Sequence, residues 1–337
     1  MFCYQCEQAA QGTGCTRIGI CGKNEDLSAL QDLLIHAMEG VGLYAVEARA
    51  HGISDPAADL FTCEAVFSTL TNVNFDNDRF AALINQAVLY RKMYQKKLAE
   101  AGVPFSPGHP AASFEPASDM AQLVRQGQEV ELNPQTGEAA DIVSLKHILL
   151  FGMKGVAAYA DHAGILGRED DSIYAFLQEG LAALTRTNMS ADDWVAMVLK
   201  CGEVNLTAMK ILDGANTGTY GHPVPTVVPL GAKKGKAILV SGHDLKDMEL
   251  VLQQSEGKGI GKHNGLWDGV NHFFPSSPLY EKKDEHLILL SDLGLAITLG
   301  VLTYVGRTFG FANLLVWYII PYLWVNHWLG KSISIQM

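Results

Sequence analysis

Positive charge is scarce in this chain. Its 25 lysines and arginines face 36 acidic residues, giving a net charge of -11, and charged residues are only 18% of the 337. No basic stripe forms in such a sequence, which argues against a nucleic-acid face. A secretory leader is lacking too: Met1 runs straight into cysteines, with no basic segment followed by an apolar core. That absence points to a cytoplasmic, reducing compartment, where grouped cysteines serve as metal ligands rather than as disulfides. Cysteine is itself rare beyond the start, with six in all and none after Cys201. Cys63 and Cys201 stand alone in apolar, helical contexts and read as small buried hydrophobes. A Walker motif is absent. The glycine-rich GKGIGKHNG, Gly257–Gly265, does not directly follow a strand or open a clear helix, and reads as a linker.

What is present is concentrated in Met1–Lys23, MFCYQCEQAAQGTGCTRIGICGK, which holds Cys3, Cys6, Cys15 and Cys21 at a C-x2-C-x8-C-x5-C spacing. Four thiolates so close in sequence meet at one centre only if the backbone wraps around it. Gly12, Gly14, Gly19 and Gly22 supply the conformational freedom for that wrap. A soft four-sulfur site selects zinc or an iron–sulfur cluster. Zinc ribbons set two ligand pairs a dozen or more residues apart. One pair followed by two single cysteines suits the corners of a cubane better. A [4Fe–4S] cluster is the expected occupant, with [2Fe–2S], zinc and disulfides as the alternatives.

Helical periodicity dominates the chain beyond Lys23. Leu27, Leu30, Leu34, Met38 and Val41 make one face of a helix over Glu25–Ala50. His36 lies beside that face and reads as packed structure. A second helix follows Pro56, and Asp76 caps a third that ends at Gly102. Val103–Glu138, rich in Pro, Gly and Ser, reads as a connection. Helices are expected again over Ala140–Gly167 and Ser172–Thr187, and over Asp192 to about Asp213 behind a Ser190 cap. Six helices in two groups of three suggest two helical bundles. Asn216–Gly231 has no helical period. Lys236–Ser241, KAILVS, is a short apolar run that reads as a buried strand, with Gly242-His243-Asp244 at its carboxyl end and a helix over about Leu245–Gln254. His243 is therefore placed where α/β folds gather ligands. One strand has no sheet to join, so poor packing is expected after residue 230.

The last segment changes class. Leu287–Val305 and Thr308–Val325 are apolar runs near the length that crosses a bilayer. Trp317, Tyr318, Tyr322 and Trp324 suit an interfacial belt, whereas Asp292 and Pro321 interrupt the runs. Membrane-derived helices over 287–325 are expected, with a buried hairpin as the alternative. The fold class is thus mainly α: a cysteine segment at 1–23, helical bundles over 24–220, the truncated start of an α/β domain at 230–260, and an apolar helical tail at 261–337.

The cysteine pattern, ALQDLLIHAMEGVGLYA, NTGTYGHPVPT and KAILVSGHDLKDMELVL together resemble the hybrid-cluster protein, or hydroxylamine reductase, family over about residues 1–260. The resemblance implies helical bundles followed by α/β domains, and a cubane on Cys3, Cys6, Cys15 and Cys21. It implies that His243 stands where a ligand of a second, hybrid iron–sulfur–oxygen cluster stands. That cluster reduces hydroxylamine to ammonia and water with electrons delivered singly by a redox partner. The remaining family ligands, two glutamates and four cysteines, should follow His243, and no cysteine does. Residues 261–329 instead resemble an internal piece of a fungal-type delta-12 fatty-acid desaturase, without its histidine boxes. His263, His272, His286 and His327 form no such box and read as loop or surface residues. The chain reads as a chimera joined at about Glu256–Gly261. Three functions are therefore expected to compete: an impaired hydroxylamine reductase, a non-catalytic electron-transfer module, and a membrane-anchored fragment. Desaturation is excluded, because no diiron ligand set is present.

Overall fold

The computed structural model describes residues 2–6, 9, 12–130, 138–225 and 244–258, together with the backbone of 237–241, 261–263 and 288–290. It divides into two units, Met1–Asn216 and Thr217–Met337.

The fold is mainly α, as the periodicity implies. The helices are α1 (Glu25–Ala50), α2 (Pro56–Ser68), α3 (Asn77–Glu100), α4 (Met120–Glu129), α5 (Ala140–Ile165), α6 (Asp171–Leu184), α7 (Ala191–Tyr220) and α8 (Leu245–Ser255). Their starts are set by side chains that accept hydrogen bonds from exposed first-turn N–H groups. Asn24, Asp55, Asp76, Asp119, Asp170 and Asp244 do so for α1, α2, α3, α4, α6 and α8. At α7 the Asp193 N–H donates to Ser190 Oγ while the Asp193 carboxylate accepts from the Ser190 N–H, a reciprocal capping box.

In the first unit, α1 is the central element. It packs against α3, α4 and α6, while α2 lies on α5 and α6. A helix buried on nearly every side must be apolar nearly all round. On α1, Leu30, Leu33, Leu34, Ile35, Met38 and Val41 are all inaccessible to solvent. One continuous apolar core runs from Leu27 on α1 to Ala208 on α7. His36 is buried as expected, against the Glu39 carboxylate at 3.3 Å and the rings of His109 and Phe114. Polar ties cross the core as well. Arg49 Nη2 lies 2.8 Å from Asp59 Oδ1, and the Arg49 Nε–H donates to Gln178 Oε1 at 2.7 Å.

Two expectations change in this unit and at its end. Val103–Glu138 is not only a connection, because Met120–Glu129 forms α4. Its face of Met120, Leu123, Val124 and Gly127 is one short stripe behind the Asp119 cap, too brief to stand out from a Pro- and Ser-rich setting. Helix α7 continues through Asn216–Tyr220, which the sequence reads as aperiodic. Threonine and glycine lower propensity, but packing holds the last turns, where Ala215 and Tyr220 are buried.

In the second unit, β1 (Ala237–Ser241) pairs in parallel with β2 (Gly261–His263) and β3 (Ile288–Leu290), in the order β2-β1-β3. The strand expected to stand alone thus has a neighbour on each side. Gly261–His263 is strand where a linker is expected, and Ile288–Leu290 is strand inside the first apolar run, where a helix is expected. Continuous apolar residues serve a buried parallel strand as well as a helix, so the run alone does not separate the two. The rest of the tail, including 291–325, lies outside the described residues. Among the described residues, α5 is the helix long and apolar enough to cross a membrane, and it is packed against α2 and α6.

Candidate iron–sulfur site

The four N-terminal cysteines lie in one wrapped segment ahead of α1. All six cysteines of the chain are free thiols. Phe2 N–H donates to Cys15 C=O at 2.9 Å and Cys15 N–H donates to Cys3 C=O at 2.8 Å, so Cys3 and Cys15 face each other in an antiparallel bridge. Cys6 C=O accepts from Ala9 N–H at 3.1 Å. Gly12 and Gly22 have φ of 66° and 92°, the left-handed region that favours glycine. At Gly19 an added Cβ would stand 3.2 Å from Cys21 Sγ and from Lys23 C=O, so a side chain there would crowd the thiol. Cys15 is buried, Cys3 and Cys6 are half-buried, and Cys21 is exposed.

Among the described residues, no three His, Cys, Asp or Glu side chains gather as a site for a single ion. His243 lies outside the described residues.

Beneath the wrap is a polar floor that sequence reasoning misses. Lys23 is only 1% exposed; its Nζ donates to Gln31 Oε1 at 2.5 Å and to Cys3 Sγ at 3.9 Å. Gln31 Nε2 is buried with no hydrogen-bond partner. Lys154 on α5, also 1% exposed, donates to Gln5 Oε1 at 3.0 Å and to Thr69 C=O at 3.1 Å. Ser28 Oγ–H ties α1 to the wrap through Phe2 C=O at 2.8 Å. A cavity of about 20 Å³, room for one water, lies among Cys3, Gln5, Asp32 and Lys154. Tyr4 OH lies 2.9 Å from His147 Nε2, which anchors the outer side of the wrap on α5. Two buried ammonium groups and an orphaned amide donor beside four thiols form a surplus of donors over acceptors. An anionic occupant resolves that surplus, and an iron–sulfur cluster with four thiolates is one, so the donor set fits it. One signal for this floor was in the sequence: Lys154 is a lone charge in the apolar middle of α5, FGMKGVAAYA.

Burial drags the Lys154 pKa from its ordinary 10.5 to about 7, with Asp32 opposing the fall and Lys23 adding to it. In the metal-free chain the folded state therefore loses this proton near pH 7, while the unfolded chain keeps it to about 10.5. The unfolded state binds more protons across that window, so stability rises with pH through it. Between pH 7 and 9 the metal-free chain is expected to gain about 2 kcal/mol relative to Lys154→Met. Urea midpoints at the two pH values check this, and curves that shift in parallel for both proteins would contradict it.

The Prismane/CO dehydrogenase family model matches residues 1–271. The hydroxylamine reductase of Syntrophobacter fumaroxidans is 58% identical over 260 residues, 77% of this chain and 48% of that protein. Those of Solidesulfovibrio magneticus and Methanocella arvoryzae are 57% and 53% identical over 263 and 261 residues, with the same shares. The chain spans about half the length of these curated relatives. With the cysteine wrap, its polar floor and the helical core all inside the matched residues, the chain belongs to the Prismane/CO dehydrogenase family.

Proposed function

We propose that this chain is an iron–sulfur oxidoreductase of the hydroxylamine reductase kind, with one [4Fe–4S] cluster on Cys3, Cys6, Cys15 and Cys21. The observation that carries the reading is the single wrap of four free thiols above a floor with surplus buried donors. The names of the relatives supply the reaction class. Such a cluster, when bound, supplies and accepts one electron at a time. The chain's own residues do the rest. The four cysteines hold the cluster, and exposed Cys21 brings it to the surface, where a redox partner delivers single electrons. Lys23 and Lys154 place positive charge beneath it. Reduction of hydroxylamine to ammonia and water consumes two electrons and two protons.

His243 takes the role of a ligand to the hybrid cluster by resemblance. With no cysteine after Cys201, this chain offers too few ligands to complete that second cluster, so its turnover of hydroxylamine is impaired. The same scarcity favours a second reading, a non-catalytic electron-transfer module in a cytoplasmic setting. Residues 261–329 are read as a desaturase-type segment joined to the family domain, with membrane contact through 287–325. Recovery of the chain wholly in the soluble fraction after carbonate extraction would refute that contact.

The deciding experiment is iron and acid-labile sulfide per chain after anaerobic purification, with EPR before and after dithionite. About four irons and a spin-1/2 signal on reduction support one cubane. Less than one iron overturns the cluster. About eight irons overturn the claim that the second cluster is missing. Turnover of hydroxylamine at four irons would reject the electron-transfer reading.

A further inference from the structure

Lys23, like Lys154, is a deeply buried charge next to the cysteine wrap, and burial of an ammonium is costly unless something anionic repays it. Its one close acceptor is a neutral amide oxygen, Gln31 Oε1 at 2.5 Å, and its other partner is Cys3 Sγ at 3.9 Å. The Gln31 amide is fixed in that orientation by the ammonium, which leaves its own Nε2 unpartnered in the interior. No carboxylate is paired with Lys23 among the described ion pairs. Asp32 faces Lys154, where it opposes the loss of the proton. The arrangement is poor as a fold-stabilising salt bridge and well suited to a charge held beside sulfur. Hydrogen bonds to cluster sulfurs and charge in the surrounding shell are the means by which a protein sets a cluster's potential.

We propose that Lys23 is a positioning residue for the electron-accepting state of the site: Gln31 aims its buried ammonium at Cys3 Sγ, and the charge raises the reduction potential of a cluster bound there. The inference rests on the cubane reading above and specifies what sets its potential. The physical reason is asymmetric stabilisation. Adding one electron, supplied by a one-electron carrier, adds one negative charge and moves no bond. A fixed cation at the ligand sulfur stabilises the reduced form more than the oxidised form. Gln31 contributes by holding the flexible lysine stem in one place.

The test is an EPR-monitored redox titration of the anaerobically purified full chain, as wild type, Lys23→Met and Gln31→Glu. Lys23→Met removes the charge. Gln31→Glu keeps the lysine and pairs it with a carboxylate, so the net charge facing the thiols disappears by a different route. Both variants are expected to bind iron as the wild type does, with the one-electron reduction equilibrium weakened about tenfold, a midpoint lower by about 59 mV. If Lys23→Met fails to fold or to load, Gln31→Glu decides alone. Full iron content with less than a twofold change in that equilibrium would overturn the role of Lys23 and leave the cluster standing. A wild-type chain without iron would overturn both.

Discussion

Replacing Cys15 with alanine is expected to lower bound iron from about four atoms per chain to less than one, with loss of the visible absorbance. Cys15 is 4% exposed, and its backbone is held on both sides, donating to Cys3 C=O and accepting from Phe2 N–H. That bridge fixes where its sulfur points, so the site does not depend on a flexible loop finding the metal. No other thiol can take its place. Cys63 is buried in α2 with its thiol donating to Ala157 C=O at 3.2 Å, and burial pushes its pKa up. Cys201 sits in the core on α7, where burial raises its pKa to about 11. A thiol held protonated is a poor metal ligand. Cys201→Ala is therefore the matched control, with one cysteine removed and iron expected unchanged. Full iron in Cys15→Ala, or loss of iron in Cys201→Ala, would mean that the four N-terminal cysteines are not the ligand set. The first variant also separates a site from a fold: Cys15 lies ahead of α1, so the helical core is expected to keep its far-UV CD.

How much of the molecule is legible in the sequence depends on how local each signal is. The helix caps and the left-handed glycines Gly12 and Gly22 act within a few residues, and the structure shows them where the pattern puts them. The cap of α3 at Asp76 and the cap of α7 at Ser190 are examples, as are the bounds of α1, Glu25–Ala50. The polar floor is different. Lys23 and Gln31 lie eight positions apart, but Gln5 and Lys154 are separated by 149 in sequence, and only the docking of α5 beneath the wrap brings them together. Nothing local announces that contact. The strand partners of β1 are illegible for a related reason: three-residue parallel pairings leave almost no periodicity, and β3 falls within a run whose apolar character suits a helix equally.

The close approach of helices to α1 gives the largest stability effect. Gly127 on α4 and Gly40 on α1 are both at points of backbone contact rather than at turns. A Cβ at Gly127 would lie 2.2 Å from Ala29 C=O oxygen, and one at Gly40 would lie 2.3 Å from Ala111 C=O oxygen. The obstruction in each case is backbone, which cannot rotate away as a side chain can, so α4 or the Pro110–Ala112 turn must move off α1. Overpacking of this kind costs about 3 kcal/mol, well above the gain of up to about 1 kcal/mol from replacing glycine inside a helix. Gly127→Ala and Gly40→Ala are each expected to lower the melting temperature by about 6–10 °C. Gly155 on α5 supplies the comparison, because an added Cβ there meets nothing within 4 Å. Gly155→Ala should be neutral or slightly stabilising, since only helix propensity changes. Thermal melts of the three variants decide the matter. Similar melting temperatures for all three would show that α4 and the turn yield without cost, and the tight seat of α1 would lose its basis. A fall confined to Gly127 and Gly40 would fix α1 as the rigid axis of the core. That axis also carries Ser28, Gln31 and Asp32, three of the residues on which the cysteine wrap rests, so displacement at Gly127, opposite Ala29, is expected to loosen the iron site together with the fold.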